Sequence, residues 1–223
     1  MDQLGTDLTV VNAARISYGN EHKELTDQDV RLMKYLANHR HYSPFRHCML
    51  QVRIRAPEFV MRQLYKHVVG IEATSTHPVK DHAWNEISGR YRPYTEVYAP
   101  KSFHAQHTTA RQCSGDVHPE HKQVEQAFLR TIETSMTTYH QLLEQGVARE
   151  QARMLLPMSL VTEVVWTASL QAVHHFVQLR HHADAQYEIR ALAERLREIA
   201  VTAFPHAYQA LNPTLSNGKP ASV

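Results

Sequence analysis

The sequence contains few cysteines and few glycines. Its two cysteines, Cys48 and Cys113, exclude a disulfide scaffold and a four-cysteine zinc site, and their scarcity is typical of a reducing compartment. The seven glycines form neither a glycine-rich dinucleotide fingerprint nor a phosphate loop, and the HExxH and CxxC patterns are also absent. If the chain binds a nucleotide, it therefore does so through other groups.

Long apolar runs and a one-sided charge are also missing. No run approaches the roughly 20 apolar residues that cross a bilayer. The N-terminal segment carries Asp2 and Asp7 instead of the basic start of a secretory signal. We therefore expect no membrane association and a cytoplasmic location. Lys and Arg total 24 against 22 Asp and Glu, so the nearly balanced charge predicts no nucleic-acid partner.

Histidine, in contrast, is abundant, with 17 residues. Because its side chain titrates near neutral pH, the excess reflects either tolerance at the surface or a function. The pairs His174–His175 and His181–His182 suggest metal ligands, but adjacent residues on a helix do not share a face. No clear third ligand is spaced nearby, so the sequence predicts no metal site, and a His-rich metal-binding module is the least favoured alternative.

The organisation of the chain predicts one domain. A length of 223 residues fits a single domain, and no linker, repeat or break in composition divides it. We expect a helix-rich α/β fold (mixed α+β) with a central sheet over residues 1–211. A flexible tail is expected at 212–223, where Pro, Ser, Asn and Gly are frequent.

Caps and hydrophobic periodicity predict the individual elements. Thr26 with a carboxylate at Asp29 has the form of a capping box and begins a helix, and Pro57 suits the first position of another. The predicted elements are helices at 26–39, 57–67, 118–146, 150–155, 170–179 and 185–204, a short strand or turn at 9–18 and at 85–91, a strand at 47–56, an apolar β-branched segment at 160–168, and a long loop at 68–84.

The densest polar cluster lies on both sides of that loop. Before the loop come Arg62, Gln63, Lys66 and His67, and after it comes Asn-Glu-Ile-Ser-Gly-Arg-Tyr at 85–91. A guanidinium group presents a planar fork to phosphate oxygens, the Ser-Gly pair offers a hydroxyl and backbone N–H groups, and a glutamine amide matches an edge such as that of uracil. The cluster is a candidate nucleotide-monophosphate site, although composition alone favours a solvated helix face and an ordinary turn.

Four further residues have both an ordinary and a functional interpretation. Arg153 lies on a short helix beside apolar residues and can reach an anion or remain a surface charge. Arg180 follows an apolar helical face and can end inside a pocket. Cys48 and Cys113 are the candidates for a covalent nucleophile, but neither has an evident partner in sequence, so a buried or spare thiol is favoured.

Short motifs follow one another along residues 13–189. They are Ala-Ala-Arg-Ile-Ser at 13–17, His-Tyr-Ser-Pro-Phe-Arg-His at 41–47, Arg-Gln at 62–63 with Lys-His at 66–67, Asn-Glu-Ile-Ser-Gly-Arg-Tyr at 85–91, Gln-Ala-Arg at 151–153, Leu-Pro at 156–157, Trp-Thr at 166–167, Leu-Arg at 179–180 and Ala-Gln-Tyr-Glu-Ile at 185–189. In this order they resemble the flavin-dependent thymidylate synthase family, and together they are far more specific than any one of them.

This resemblance implies an enzyme that reductively methylates C5 of uracil in a uridine monophosphate. The substrate is dUMP or, as in relatives from nucleoside-antibiotic pathways, UMP. The resemblance implies FAD as cofactor, NADPH as its reductant and methylenetetrahydrofolate as the carbon donor, so no activated cysteine is needed. It also implies a homotetramer of α/β subunits with FAD held between chains. The alternative is a non-catalytic nucleotide- or flavin-binding homologue.

The resemblance also assigns roles to individual residues. Arg180 is the expected catalytic group, which stabilises charge as uracil N3 ionises. The expected substrate contacts are Gln63, Lys66, Glu86, Ile87, Ser88, Gly89, Arg90, Arg153 and Arg180. The expected flavin contacts are Ser17, His41, Ser43, Lys66, His67, Val68, Glu86, Ser169, Gln171 and His175.

Several positions depart from the family pattern. The family's Arg-His-Arg reads Lys66-His67-Val68, and a lysine matches pyrophosphate geometry less well than an arginine. A loop at 69–84 is inserted between the halves of that motif. The family's Asn-x-Arg reads Ser169-x-Gln171, and its next asparagine reads His175. These changes concern the flavin contacts more than the nucleotide contacts.

Overall fold

The computed structural model describes residues 1–67, 82–110 and 113–212. Over these residues strands and helices form a mixed α and β architecture, which confirms the predicted fold class. The strands are β1 (Asp2–Leu4), β2 (Met49–Pro57), β3 (His82–Glu86), β4 (His104–Gln106), β5 (Ser114–Val117) and β6 (Val161–Ser169). The helices are α1 (Asp7–Arg15), α2 (Asp27–Asn38), α3 (Glu58–Tyr65), α4 (His121–Glu144), α5 (Arg149–Ala152), α6 (Leu170–Arg180), α7 (Tyr187–Ala203) and α8 (Pro205–Leu211).

The main sheet has the strand order β1-β2-β6-β3, and all its neighbouring strands are antiparallel. β2 and β6 form its centre, with Val52 opposite Trp166 and Ile54 opposite Val164. On β2 these buried residues alternate with exposed ones such as Arg53, which is the period of two expected of a strand with one buried face. A separate ribbon pairs β4 with β5.

Helices cover the buried face of the main sheet. α6 packs against β6 and α7, and α8 packs against α2 and α7. The largest fully buried side chains of this core include Phe45, Trp166, Phe176, Phe204 and Tyr208. Burying a side chain such as Phe contributes about 1.5–3 kcal/mol. The core therefore fixes the positions of β6 and α6, which carry several of the predicted site residues.

Most predicted elements are confirmed, with ends that differ by a few residues. The capping box begins α2, because the Thr26 hydroxyl accepts from the Asp29 amide at 3.4 Å and the Asp29 carboxylate accepts from the Thr26 amide at 3.0 Å. β2, α3, α4, α6 and α7 also lie where the patterns placed them, and most of the apolar β-branched segment at 160–168 belongs to β6. In the described part of the chain, no helix is both long and apolar enough to cross a membrane.

Two predicted segments have a different structure. Residues 9–18, predicted as a strand or turn, belong to α1 and a following 3₁₀ turn (Ile16–Tyr18). The buried Asp7 carboxylate fixes this helix, because it accepts from the amides of His206 and Ala207 at 3.1 and 2.8 Å. Residues 82–84, predicted as loop, are the start of β3 and pair with β6. Both corrections come from contacts that are distant in sequence.

Other differences concern element ends and short elements. Pro57 is the last residue of β2 and the N-cap of α3, and not the first helical residue. β1, β4, β5 and α8 were not predicted; each has seven residues or fewer, so its hydrophobic periodicity is weak. Residues 68–81 of the predicted loop, including Val68, and residues 213–223 of the predicted tail lie outside the described residues.

Candidate active site

α3 carries several of the predicted nucleotide-site residues. It follows β2 directly, and the amides of Glu58 and Phe59 donate to the carbonyls of Leu160 and Met158 at 2.8 and 3.0 Å. The start of the helix is therefore fixed to the segment that leads into β6. Its buried residues are Val60, Met61 and Leu64. The polar residues of this segment remain accessible: Arg62 and Lys66 are exposed, and Gln63 is half-buried.

His67 follows α3 and joins it to α6. Its Nδ1–H donates to the Gln63 carbonyl oxygen at 2.6 Å, so Nε2 is the acceptor and receives the Nε–H of Arg180 at 3.0 Å. Burial lowers the pKa of His67 below its usual range; the bond to the Gln63 carbonyl opposes this, while nearby Arg180 and His175 add to it. The imidazole is therefore neutral at pH 7. Only the neutral ring has an unprotonated Nε2 that can accept the hydrogen bond from Arg180.

The Gln63 side chain is tied to the start of α7. Its Nε2 donates to Oε1 of Gln186, the N-cap residue of α7, at 2.9 Å. This bond gives the amide a defined orientation. Gln63, His67 and Arg180, with His175 close enough to affect the His67 ring, form what we call the α3–α6 cluster.

The chain leaving β3 supplies a second group of predicted residues, 86–90, which we call the β3 turn. Glu86 Oε1 accepts from the Thr162 hydroxyl at 2.6 Å, and its Oε2 accepts from the Trp84 indole N–H at 3.5 Å. Ser88 Oγ accepts from the backbone amide and from Nε of Arg90 at 3.3 and 3.4 Å. The β3 turn is thus anchored to β6 at one end and organised by a serine hydroxyl at the other.

Close packing requires glycine at position 89 of the β3 turn. A Cβ at Gly89 would lie 2.4 Å from Cε2 of Tyr94. The Tyr94 hydroxyl donates to the Ile87 carbonyl at 3.4 Å. Burial raises the pKa of Tyr94, and the carboxylates of Glu86 and Glu58 raise it further, so the hydroxyl remains a donor. The glycine and the tyrosine therefore fix the shape of this turn together.

The three arginines of the predicted site have different surroundings. Arg180 is half-buried and bonded to His67. Arg90 is exposed, with its guanidinium carbon 5.5 Å from the centroid of the Tyr91 ring. Arg153 is exposed in the 3₁₀ turn after α5, and its side chain forms no hydrogen bond or ion pair with any residue that the structure describes. Their convergence across subunits stays a prediction.

The predicted flavin contacts are spread over several elements. Ser17, His41, Ser43, Lys66 and Glu86 are exposed, Gln171 and His175 are half-buried on α6, and His67 is buried. Ammonium, imidazole and hydroxyl donors of this kind fit the phosphate oxygens and ring carbonyls of a flavin. Ser169 is fully buried, and its hydroxyl accepts from the Ala172 amide at 3.1 Å as the N-cap of α6, so its contact with a flavin stays a prediction.

Cys48 does not have the properties of a nucleophile. It is fully buried, and its thiol donates to the Thr6 carbonyl at 3.3 Å. Burial, assisted by the Asp7 carboxylate, raises the pKa of Cys48 to about 12, and a thiol held protonated does not attack. Metal chemistry has no evident centre either, since no group of three or more His, Cys, Asp or Glu side chains within residues 1–67, 82–110 and 113–212 is arranged to hold an ion.

A mostly apolar cavity beside α3 was not predicted from the sequence. It has a volume of about 450 Å³, and its lining includes Phe59, Tyr98, Phe128, Ile132, Met158 and Gln186. The Tyr98 hydroxyl donates to Glu188 Oε1 at 3.0 Å, and burial together with that carboxylate raises the pKa of Tyr98 to about 12. Because the lining comes from several distant segments, no local sequence pattern indicates this cavity.

Glu58 is another site residue that the sequence did not reveal. The Glu86 carboxylate lies close enough to affect its carboxyl group. Burial, assisted by the Glu86 carboxylate, raises the pKa of Glu58 to about 7, although Arg62 acts in the opposite direction. A carboxylate in the first turn of a helix ordinarily indicates no more than a favourable interaction with the helix dipole. What indicates a function for Glu58 is the neighbouring carboxylate of Glu86, which belongs to β3.

Comparison with known protein sequences gives concordant results. The sequence pattern of the family described as Thy1, thymidylate synthase complementing protein, matches residues 1–206. A flavin-dependent thymidylate synthase from Thermus thermophilus is 38% identical over 220 residues, which cover 98% of this chain and 76% of that protein. One from Kosmotoga olearia is 37% identical over 215 residues, covering 94% of this chain and 87% of that protein.

The fold is similar to that of solved structures. The crystal structure of the UMP/dUMP methylase PolB from Streptomyces cacaoi bound with 5-Br dUMP matches with a TM-score of 0.81 and 30% identity, covering 96% of this chain and 93% of that chain. The structure of the same methylase bound with 5-Br UMP gives a TM-score of 0.80 and 28% identity, with coverage of 96% and 92%. The likeness therefore extends over nearly the whole chain.

Proposed function

We propose that this chain, which belongs to the flavin-dependent thymidylate synthase family, methylates C5 of the uracil ring in a uridine monophosphate, either dUMP or UMP. Both nucleotides are included because the similar methylase structures were solved with 5-Br dUMP and with 5-Br UMP. The reaction would use methylenetetrahydrofolate as the carbon donor and NADPH as the reductant.

The observation that carries this proposal is the hydrogen bond between Arg180 and His67. A guanidinium group that is held by a neutral imidazole keeps its positive charge and its terminal N–H groups for a ligand. Beside a uracil ring, Arg180 would stabilise the negative charge that develops as N3 ionises, and this charge makes C5 a better nucleophile. Gln63, whose amide is oriented by Gln186, would bind the amide edge of the ring.

The β3 turn supports binding of the nucleotide phosphate. The exposed Arg90 guanidinium, the Ser88 hydroxyl and the backbone of Gly89 lie next to one another there. Guanidinium groups bind phosphate oxygens through two parallel N–H bonds. Arg153, whose side chain is exposed, and Lys66 would add positive charge, and Glu86 and Ile87 would complete the nucleotide contacts.

The same residues favour FAD as the resident cofactor. Bound and reduced, FAD would supply the hydride chemistry of the reaction. Lys66 and His67 would contact it after α3, Gln171 and His175 from α6, and the exposed donors Ser17, His41 and Ser43 from the N-terminal part of the chain. A flavin route needs no covalent cysteine, and the buried Cys48 with its raised pKa is consistent with such a route.

A homotetramer would complete the site, because Arg90 and Arg153 are exposed in the single chain. α4 supports assembly: within the described chain, Tyr139 is its one buried residue among 24. A helix of that length with so little buried surface has a face available to another subunit.

Two measurements on the purified protein test the proposed function. Its absorbance spectrum should be that of a flavoprotein. Tritium should be released from C5-labelled dUMP or UMP when methylenetetrahydrofolate and NADPH are present, and the faster substrate identifies the sugar preference. A folded, yellow protein that releases tritium from neither nucleotide would instead be a non-catalytic flavin-binding homologue.

A further inference from the structure

The start of α3 and the end of β3 bring two carboxyl groups together. Glu58 is the first residue of α3, and its amide donates to the Leu160 carbonyl at 2.8 Å, just before β6. Glu86 is the last residue of β3, and its Oε1 accepts from the hydroxyl of Thr162, the second residue of β6, at 2.6 Å. Both elements are therefore fixed to the same end of β6, and the Glu86 carboxylate lies close enough to act on the carboxyl group of Glu58.

Two carboxyl groups in contact do not both ionise readily, because like charges at that distance repel strongly. One proton shared between them converts the repulsion into an O–H···O hydrogen bond. Glu58 is the more buried partner, and burial with the neighbouring Glu86 carboxylate raises its pKa to about 7. The proton is therefore expected on Glu58, which donates to Glu86.

The other ionisable groups facing Glu58 come from two directions. Arg62 lies one turn further along α3, and it moderates the negative charge without cancelling the effect of burial. Tyr94, from the loop after β3, has a raised pKa because of burial and both carboxylates, so it remains neutral over the same pH range. The pair thus carries a single negative charge at pH values below 7.

We propose that Glu58 is a positioning residue of the active site: its protonated carboxyl donates to Glu86 and holds that side chain, with one negative charge for the pair, at the edge of the β3 turn. The inference deepens the proposed function and rests on it, because Glu86 is a contact for uridylate and flavin there. Ionisation of Glu58 adds a second negative charge and removes the hydrogen bond. Binding of a nucleotide phosphate next to the pair then weakens as pH rises above 7.

The test uses three variants of the full-length flavoprotein. Glu58→Gln keeps a donor toward Glu86 but does not ionise, and Glu58→Ala removes the donor. Glu24→Gln, which is exposed in the segment before α2, is the matched control. The dissociation constants of dUMP and UMP and the kcat/KM values are measured from pH 6 to pH 9.

We expect the wild-type enzyme and Glu24→Gln to bind uridylate less tightly as pH rises, with an apparent pKa near 7. Glu58→Gln should bind normally at pH 6 and lose that pH dependence. Glu58→Ala should bind about tenfold more weakly at pH 6, as expected for a lost hydrogen bond to a charged group.

A Glu58→Gln enzyme with the wild-type pH dependence, or a Glu58→Ala enzyme with wild-type affinity at pH 6, would overturn the positioning role. Failure of the proposed function has a different appearance: the wild-type protein itself would neither bind uridylate nor release tritium. That result would overturn both the proposed function and the positioning role. An active wild-type enzyme whose Glu58 variants bind and turn over uridylate as the wild type does would overturn the positioning role alone.

Discussion

Arg180 donates its Nε–H to Nε2 of His67 across 3.0 Å. The bond joins the last residue of α6 to the segment that follows α3. Because Nδ1 of the same ring donates to the Gln63 carbonyl at 2.6 Å, the imidazole has one tautomer that suits both partners. A carboxylate in this place would neutralise the guanidinium group. The neutral ring orients the group and leaves its full positive charge available to an anionic ligand.

Replacement of His67 tests this relationship. In His67→Ala the guanidinium group of Arg180 loses its acceptor and its orientation, so we expect kcat to fall by up to about 100-fold with a smaller change in KM. His67→Gln retains an acceptor and should recover part of the loss. Steady-state tritium release with dUMP and UMP measures both effects. Equal kcat values in the wild type and both variants would remove the orienting role of His67.

The same bond predicts an acidic limit to activity. Protonation of His67 removes the acceptor at Nε2, and the lowered pKa places this event below the usual value of about 6.5. The kcat of the wild type should therefore fall as pH decreases below that value, and His67→Gln should lack this limb. An identical acidic limb in the variant would assign it to another group.

Gly89 should be intolerant of a side chain. A methyl group there meets Cε2 of Tyr94 at 2.4 Å, so Gly89→Ala must displace the ring or the β3 turn. We expect uridylate binding to weaken by about tenfold or more, which corresponds to about 1.4 kcal/mol. The double variant Gly89→Ala/Tyr94→Ala removes the clash and should bind better than Gly89→Ala alone. Isothermal titration compares them, and equal losses in the two proteins would contradict the packing argument.

Asp29 should dominate the stability of the N-terminal helices. Its fully buried carboxylate accepts from Arg15 Nη2 at 2.8 Å, His22 Nδ1 at 2.9 Å and the Thr26 hydroxyl at 2.7 Å. Removing one partner of a buried charge pair typically costs about 3–5 kcal/mol, so Asp29→Ala should lower the free energy of unfolding by at least about 3 kcal/mol. Urea denaturation at pH 7 measures this, and Asp27→Ala, exposed in the same turn, should lose less than about 1 kcal/mol.

The contribution of Asp29 should depend on pH in a defined direction. Burial alone would raise the pKa of Asp29, but hydrogen bonds from His22, Thr26 and Arg15 outweigh burial and hold the pKa well below its usual range. Its stabilisation is therefore present above the unfolded pKa of about 3.9 and is lost as pH falls below that value. The stability difference between the wild type and Asp29→Asn should shrink there; a constant difference down to pH 2 would refute this assignment.

His174 should make the fold sensitive to mild acid. It is 6% exposed, and burial, with a contribution from nearby His175, lowers its pKa to about 4. An unfolded histidine has a pKa of about 6.5, so the unfolded state gains a proton first as pH falls. The free energy of unfolding should drop by about 2 kcal/mol from this group between pH 7 and pH 5. His174→Gln should abolish that part of the drop and His206→Gln should keep it; equal drops in both proteins would exclude His174 as the cause.

Local signals were sufficient where an element is capped or alternates clearly. The Thr26–Asp29 box predicts the start of α2, and the alternation on β2 predicts its buried face. Residues 9–18 were predicted wrongly because Val10 and Val11 are β-branched neighbours that favour a strand. Their helix is stabilised by the bonds from Asp7 to the start of α8, and no local pattern contains that information.

The candidate site shows the same division. The order of motifs indicates Arg180, His67 and Glu86 as separate residues, but the bond between Arg180 and His67 appears only when α3 and α6 are packed on the sheet. Glu58 belongs to no motif, and its partner Glu86 reaches it through the pairing of β3 with β6. Sequence therefore predicts which residue types matter, and packing determines which of them act together.

Tritium release by Arg180→Ala tests whether the Arg180 guanidinium group stabilises the charge that develops on the uracil ring. Arg195→Ala, whose guanidinium group pairs with Glu198 on α7, is the matched control, and Arg180→Lys keeps the charge without the fork. Loss of one group that stabilises developing charge costs about 100- to 1,000-fold in kcat. We predict a loss of this size in Arg180→Ala, a smaller one in Arg180→Lys and none in Arg195→Ala, with unchanged flavin absorbance and melting temperature. Wild-type rates of tritium release in Arg180→Ala would exclude this catalytic role of Arg180.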